Sequence, residues 1–232
     1  MIFSGFQKLT LLDFPQKTAA IVFTKGCNFR CPFCHNASLV TGTAFEEFSE
    51  DEVLVYLNKR KGLLDGLSIT GGEPLMQEGL ADFIRKVKAL GYAVKLDTNG
   101  TYPERLKALL DEGFLDYVAM DIKNSEKEYL HTAGVTNTAL LERVKESVAI
   151  LKASGVTHEF RTTLVKGLHN EESILGAASL VCGAERYYLQ RFTDSGDLIA
   201  PDGLSAFSYD EMRGFLALVQ TVVPTAALRG VG

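Results

Sequence analysis

Six short apolar segments recur along the chain, and stretches with helix-start and helix-stop signals separate them. The segments are "AAIVFT" (19–24), "GLSIT" (66–70), "AVKLD" (93–97), "DYVAMDIK" (116–123), "THEFRTTLV" (157–165) and "ERYYLQRF" (185–192). Short runs rich in β-branched and aromatic residues are typical of strands buried on both faces of a parallel sheet. Their alternation with helices predicts an α/β fold.

Capping residues and glycines place helices between these strands. A serine followed three residues later by glutamate has the spacing of a capping box, and an asparagine before an acidic turn is a second start signal. The predicted helix starts are at Ser49, Ser125, Asn170 and Ser208. The predicted helix stops are at Gly91, Gly113, Gly155 and Gly183, because glycine tolerates the left-handed conformation that ends many helices.

Six strand–helix units are fewer than the eight that close a TIM barrel. They can form a doubly wound sheet or curl into an open barrel, and we expect a partial (β/α)6 barrel, open at the side. The segment "FSGFQKLTLLDFP" (3–15) predicts a hairpin or cap ahead of the first strand. With 232 residues, 46% of them hydrophobic, the chain has the material for one core, so residues 1–232 are expected to form a single domain.

The formal net charge of −5 excludes some classes of partner. It gives no general attraction to phosphate backbones or anionic lipid, so we expect neither nucleic acid nor a membrane as partner. No stretch reaches the roughly 18 apolar residues of a membrane span, and the N-terminus lacks a basic region followed by an apolar run. We therefore expect a cytoplasmic protein.

Three of the four cysteines, Cys27, Cys31 and Cys34, lie within "CNFRCPFC" (27–34). Cys182 is far away and should pack in the helix after the fifth strand, so the pattern favours a metal site over a disulfide framework. A closed zinc site needs four protein ligands. His35 could be the fourth, but adjacent side chains of an extended chain point apart, so a zinc-binding interaction module is the weaker alternative.

An iron–sulfur cubane fits three thiolates better. Cysteine thiolate is the usual ligand of its irons, so three cysteines leave one of the four irons without a protein ligand. A bound molecule can then occupy that corner, as at the open position of a catalytic zinc. Pro32 disfavours helical geometry at Cys31 and keeps the loop open around a bulky cluster.

The other polar motifs fall at the ends of predicted strands. They are "TGGEP" (70–74), "DTNG" (97–100), "MDIK" (120–123), Arg161 and "LQRF" (189–192). Loops that leave the carboxyl ends of parallel strands converge on one face, so these residues and the cysteines should share one rim.

The motif C-x3-C-x2-C after the first strand resembles the signature of the radical S-adenosylmethionine (SAM) superfamily. The resemblance extends from about residue 5 to residue 192 through "CHN" (34–36), "GGEP" (71–74), "DTNG", "DIK" (121–123) and "FRTT" (160–163). "GFQKLTLLDFP" (5–15) and "ALRG" (227–230) are most similar to the activating proteins of anaerobic ribonucleoside-triphosphate reductase, a group of glycyl-radical enzyme activating proteins. One departure is Gln16, where these relatives carry glycine.

This resemblance implies an oxidoreductase with a [4Fe-4S] cluster on Cys27, Cys31 and Cys34 and with SAM on the open iron. In the family, reductive cleavage of SAM gives a 5′-deoxyadenosyl radical that abstracts hydrogen from the substrate. No catalytic residue is therefore expected beyond the cluster and SAM. The protein would place and shield these cofactors under anaerobic conditions.

The resemblance also implies the contacts to SAM. Gly71 and Gly72 would let the backbone approach the methionine amino group, and Glu73 would offset its charge. Arg161 and Lys123 would meet the carboxylate or ribose, since a guanidinium fork gives two parallel hydrogen bonds.

Two further groups complete the implied site. Phe33 matches a position that contacts adenine, and Gln190 would close the far side of that pocket. Asp97, near the SAM carboxylate, could hold a monovalent cation together with Thr98 and Asp121.

The implied partner is a glycyl-radical enzyme, anaerobic ribonucleotide reductase, whose glycine Cα must reach an open site. The cysteines left over cannot build a second cluster, so flavodoxin or ferredoxin should deliver the electron. The alternative within the superfamily is an enzyme that acts on a small molecule, such as a purine-like or pterin substrate.

Overall fold

The computed structural model describes residues 1–42 and 46–230 of the protein. Its strands are β1 (Ile2–Phe3), β2 (Gly5–Thr10), β3 (Ala19–Thr24), β4 (Phe48–Ser49), β5 (Gly66–Gly71), β6 (Ala93–Thr98), β7 (Tyr117–Asp121), β8 (Thr157–Leu164), β9 (Tyr187–Arg191) and β10 (Ala227–Arg229). β1 and β4 form a small antiparallel sheet of their own.

The helices lie between these strands in the chain. They are α1 (Ala37–Thr41), α2 (Glu50–Lys59), α3 (Leu80–Ala89), α4 (Pro103–Asp111), α5 (Tyr129–Ala133), α6 (Ala139–Ala153), α7 (Glu171–Leu180) and α8 (Tyr209–Val219), with a 3-10 turn at Pro74–Met76. Within the described ranges, no helix is both long and apolar enough to cross a membrane.

The main sheet has eight strands in the order β10-β9-β8-β7-β6-β5-β3-β2. Neighbours from β3 to β10 are parallel, whereas β2 is antiparallel to β3. The edge strands β2 and β10 do not pair, so the described chain forms no closed barrel. The predicted α/β sheet, open at the side, and its N-terminal hairpin are therefore confirmed.

The six predicted strands are all present as β3, β5, β6, β7, β8 and β9. The strand β10 was not predicted, because three half-buried residues are too few to show a periodicity. It adds a seventh parallel strand beside β9. The sheet runs from Gly5 to Arg229, and a single domain over residues 1–232 stays a prediction.

The parallel strands present different side chains on their two faces. Leu96, Val118 and Phe160 are fully buried in the large apolar core. Side chains alternate along a strand, so the neighbouring positions Lys95 and Asp97 face the other side of the sheet. This second face therefore carries charged groups, although the sequences of its strands are mainly apolar.

Three of the four predicted helix starts are confirmed. Ser49 and Ser208 form capping boxes with the glutamates three residues on, and Asn170 forms one with Ser173. The start at Ser125 is wrong, because α5 begins only at Tyr129. The fully buried Asn124 fixes this loop instead, since its amide donates to Thr132 Oγ1 at 2.8 Å and to the Leu168 carbonyl at 3.0 Å.

The predicted helix stops are confirmed at three of four glycines. Gly91, Gly113 and Gly183 follow helices and have φ values of 94°, 67° and 79°. Gly155 does not act as a left-handed cap, because α6 ends at Ala153 and Ser154 is already extended.

Candidate functional site

A pocket opens where the carboxyl ends of the parallel strands meet. The predicted site residues that line it are Cys27, Phe33, Cys31, Cys34, Gly71, Gly72, Asp97, Thr98, Asp121, Lys123 and Arg161. They come from β5, β6, β7 and β8 and from the loops after β3, β5 and β7. The predicted common rim is thus found for the cysteine loop, "GGEP", "DTNG", "MDIK" and Arg161, whereas no residue of "LQRF" lines the pocket. Glu73 and Gln190 are the two predicted site residues outside the lining.

The cysteine loop brings three free thiols to this pocket. Its shape depends on two backbone hydrogen bonds, from Arg30 N to Ala133 O at 2.9 Å and from Cys34 N to Cys31 O at 3.1 Å. Burial raises the pKa of Cys27 to about 11 and that of Cys31 to about 12. These thiols are therefore protonated at neutral pH until a metal displaces the protons.

Neither Cys182 nor His35 provides a fourth ligand. Cys182 is exposed beyond the end of α7, which corrects the expectation that it packs in that helix. His35 lines the pocket, but its ring lies beside Phe192 with 5.8 Å between the centroids. In residues 1–42 and 46–230, no group of three His, Cys, Asp or Glu side chains could hold a single metal ion. Three thiols at one pocket fit an iron–sulfur cluster, whose usual ligand is cysteine thiolate.

The two glycines of the "GGEP" motif pack against the start of the cysteine loop. Gly72 N donates to Thr24 O at 2.9 Å, and Glu73 N donates to Gly26 O at 2.8 Å. A Cβ on Gly71 would overlap the Thr24 backbone, and a Cβ on Gly72 would overlap the Gly26 carbonyl oxygen. The close packing of these two loops therefore requires glycine at both positions, independently of any contact with a ligand.

The Glu73 side chain faces the turn after β6 and is fully buried. Its carboxylate accepts hydrogen bonds from Leu75 N at 2.9 Å, Thr98 Oγ1 at 2.8 Å and Asn99 N at 2.7 Å. Burial raises its pKa to about 7. Glu73 therefore braces the "DTNG" turn, and its contact with the ammonium group of SAM stays a prediction.

Arg161 joins the two predicted carboxylates. Its Nη1 lies 3.5 Å from Asp97 Oδ2, and its Nη2 lies 2.9 Å from Asp121 Oδ1. Lys123 Nζ is 3.0 Å from Asp121 Oδ2, and Lys95 Nζ is 2.5 Å from Asp97 Oδ1. Burial disfavours ionisation of both carboxyls, but these cations outweigh it and hold both pKa values below the usual range.

The predicted cation ligands are thus already engaged by protein groups. Each carboxylate oxygen of Asp97 and Asp121 contacts a lysine or arginine. The Thr98 hydroxyl donates to Glu73. The structure does not assemble these three residues around an ion position, and a monovalent cation at this place stays a prediction.

The two predicted adenine contacts differ in position. Phe33 lines the pocket and is 5% exposed. Gln190 lies on β9 in register with Thr163, which lines the pocket, but is not itself part of the lining.

Sequence reasoning missed two residues of this region. Lys95 is 1% exposed and contacts both Asp97 and Asp13, whose Oδ2 lies 3.2 Å from its Nζ. The sequence did contain a signal for Lys95, since it lies two residues before Asp97 on the same strand. Residues i and i+2 of a strand share a face, so Lys95 could have been placed beside Asp97. Asn99 lies in the "DTNG" motif, and its side-chain amide is 3.7 Å from Cys27 Sγ.

A family model described as the Radical SAM superfamily matches residues 21–180, more than half of the chain. The chain belongs to the radical SAM superfamily. A candidate glycyl-radical enzyme activating enzyme of Methanocaldococcus jannaschii is 32% identical to this radical SAM chain over 197 residues, covering 82% of this chain and 79% of that protein.

Two further comparisons agree with this membership. The GTP 3′,8-cyclase of Helicobacter pylori is 32% identical over 167 residues, which cover 64% of this chain and 47% of the cyclase. This radical SAM chain thus spans about half the length of that relative. A radical SAM methyltransferase from Sphaerobacter thermophilus superposes with a TM-score of 0.69 at 14% identity, over 95% of this chain and 68% of that chain, which shows a shared fold.

As a radical SAM enzyme, the protein uses a [4Fe-4S] cluster and SAM. Cys27, Cys31 and Cys34 would hold the cluster, because they are the thiols that face one pocket. A donor set of three thiols leaves one iron for SAM. The residues present therefore fit the cofactors of the family.

Proposed function

We propose that this radical SAM enzyme activates a glycyl-radical enzyme, and that its partner is anaerobic ribonucleoside-triphosphate reductase. The observation that carries the proposal is a three-thiol pocket on the rim of a sheet that does not close, since a glycine Cα of another protein needs an open site. The similarity to the M. jannaschii activating enzyme supports it over most of the chain. Electron delivery by flavodoxin or ferredoxin and a cytoplasmic location stay predictions.

When bound, the cluster and SAM supply a 5′-deoxyadenosyl radical that can take hydrogen from a glycine Cα. The residues of the chain bind, orient and shield these two cofactors. The Lys123 ammonium and the Arg161 guanidinium border the pocket and would bind the carboxylate of SAM. Phe29 and Phe33 are 2% and 5% exposed and supply an apolar wall that limits water at the reacting atoms.

The cationic groups are oriented before any ligand arrives. Arg161 is fixed by Asp97 and Asp121 on neighbouring strands, and Lys123 is fixed by Asp121. Groups held in place by such contacts need little reorganisation when a carboxylate binds. This supports a site built to position SAM, while its individual contacts stay predictions.

The test uses protein reconstituted with iron and sulfide without oxygen, mixed with anaerobic ribonucleotide reductase, SAM and a chemical reductant. We expect about four irons and four sulfides per chain and the electron-spin signal of a glycyl radical on the reductase. The control is a reductase variant whose radical glycine is alanine, which should give no signal. Cleavage of SAM without a glycyl radical would contradict the proposed partner.

A small-molecule substrate is the second candidate. It is favoured by the similarity to GTP 3′,8-cyclases, one of which is 32% identical over 167 residues. Incubation of the loaded enzyme with SAM, reductant and GTP, in the absence of any partner protein, distinguishes the two. If the GTP carries deuterium in place of hydrogen, transfer of deuterium from it to 5′-deoxyadenosine would support this second candidate.

A further inference from the structure

We propose that the side-chain amide of Asn99 donates a hydrogen bond to the cluster-bound sulfur of Cys27 and thereby raises the reduction potential of the [4Fe-4S] cluster. The inference rests on the cluster that the radical SAM enzyme holds and is independent of the proposed partner. Asn99 is thus a positioning residue, since it acts on the cluster through the sulfur of Cys27.

The direction of the amide is set by its other contacts. Asn99 Oδ1 accepts from Thr101 N at 3.0 Å and from Thr101 Oγ1 at 2.6 Å. The opposite end of the amide, Nδ2, therefore carries the hydrogens toward Asn28 Oδ1 at 2.9 Å and Cys27 Sγ at 3.7 Å. A flipped amide would place its oxygen against two acceptors, so the N–H groups face the sulfur.

The surroundings hold this residue firmly. Asn99 is 6% exposed, and its backbone N–H donates to the buried Glu73 carboxylate at 2.7 Å. Asn28 Nδ2 donates to Thr101 Oγ1 at 2.8 Å, which joins the cysteine loop to the "DTNG" turn by a second route. The amide is therefore fixed relative to Cys27 before a cluster binds.

The three thiols differ in the groups that face them. Cys27 Sγ also accepts from Phe29 N at 3.4 Å. Cys31 Sγ instead lies 3.8 Å from the Ala133 carbonyl oxygen, an acceptor. N–H donors stabilise the extra negative charge that a cluster gains on reduction, so hydrogen bonds to the ligand sulfurs raise its potential. In the described contacts, Cys27 is thus the ligand through which the chain favours the reduced state.

The test is a redox titration of the loaded protein without SAM or partner, followed by the electron-spin signal of the reduced cluster. Asn99→Ala removes the donor, and Asn99→Asp keeps the oxygen that Thr101 needs while replacing Nδ2 with an oxygen. Both variants should carry wild-type amounts of iron and sulfide and show a more negative midpoint potential. If Asn99→Ala fails to fold, the near-isosteric and uncharged Asn99→Leu takes its place, because the carboxylate of Asn99→Asp would lower the potential by its charge alone.

Asn36→Ala is the matched control. Asn36 lines the same pocket, but its amide donates to the Gly71 carbonyl at 3.2 Å and not to a sulfur. Its loss should leave the midpoint potential unchanged. A wild-type potential in the loaded Asn99 variants, or an equal shift in Asn36→Ala, would overturn the proposal. Loss of the glycyl-radical reaction alone would leave it standing, because the titration involves no partner.

Discussion

Single residues decide whether this pocket can hold its cluster. Cys27, Cys31 and Cys34 lie on one loop. Cys182 lies far from them in the sequence and is exposed after the end of α7. Replacement of any one of the three by alanine should abolish SAM cleavage, because a two-thiol loop cannot retain the cubane. The far-UV circular dichroism should stay near that of the wild type, since the three cysteines lie in a loop outside the strands and helices.

Cys182→Ala is the matched control for these variants. It should retain wild-type iron content and SAM cleavage. Turnover that survives in Cys27→Ala, Cys31→Ala or Cys34→Ala would count against the assignment of the ligands.

The buried Glu73 should make stability depend on pH. Burial raises its pKa from 4.5 to about 7, so between these values the folded state binds more protons than the unfolded state. Stability must then fall as pH rises from about 4.5 to about 7. The unfolding free energy of the wild type minus that of Glu73→Gln should decrease by on the order of 3 kcal/mol over this range.

Denaturant unfolding of both proteins at several pH values measures this difference. The other carboxyls are present in both proteins, so their titration cancels. A flat or rising difference would show that Glu73 is ionised in the folded state at pH 4.5.

Gln16 carries a backbone conformation that suits glycine. Its φ of 62° is the one positive value of a non-glycine residue within the described part of the chain. Gln16→Gly should raise the unfolding free energy by about 0.5–1 kcal/mol, because a Cβ costs energy in the left-handed region. Gln220→Gly, at φ −64°, is the control and should lower it; thermal unfolding gives both values.

At the level of elements, the short strand β10 contributes more than its three residues suggest. Arg229 reaches from β10 to the fully buried Glu159 on β8, with Nη1 2.5 Å from Oε1 and Nη2 2.8 Å from Oε2. Tyr117 on β7 donates to the same carboxylate at 2.5 Å. The pair therefore ties the last strand to the middle of the sheet.

Arg229→Met should leave Glu159 without its cation and lower the unfolding free energy by about 2–3 kcal/mol, less than a fully buried pair because Arg229 is 35% exposed. Arg213→Met on α8 is the control: its pair with Asp210 is exposed and should contribute less than about 0.5 kcal/mol. Equal losses in the two variants would mean that the Glu159 pair does not anchor β10.

Element prediction succeeded where a signal was local and failed where it was not. The six central strands were found because each is a continuous apolar run, and the capping boxes at Ser49 and Ser208 act within four residues. Ser125 has the same spacing, yet Asn124 binds Thr132 and Leu168 and delays the helix. A contact over 44 residues leaves no mark in the local pattern.

Across the whole molecule, one chain of charges connects the pocket to the N-terminal hairpin. It runs from Lys123 through Asp121, Arg161, Asp97 and Lys95 to Asp13. Signs alternate along it, so each charge has an opposite neighbour. Removal of one member takes a partner from each of its neighbours, and the loss of such a contact at a buried site is costly.

Lys95→Met should lower the unfolding free energy by about 3 kcal/mol, because Asp97 loses a contact at a site where Lys95 is 1% exposed. Lys107→Met is the control: its pair with Asp111 is exposed and should contribute less than about 0.5 kcal/mol. Chemical denaturation of both variants at neutral pH measures the difference. A Lys95→Met protein as stable as Lys107→Met would contradict the network.

Local periodicity was enough to predict the six parallel strands and the hairpin before them, and the common direction of parallel strands predicted the rim on which the cysteines gather. Folding of the whole chain establishes which charges pair across the sheet, that Glu73 turns to the "DTNG" loop, and that Asn99 reaches Cys27 across 72 residues. Such pairings depend on register and on side-chain direction between strands distant in the chain, and neither is written in the spacing of one segment.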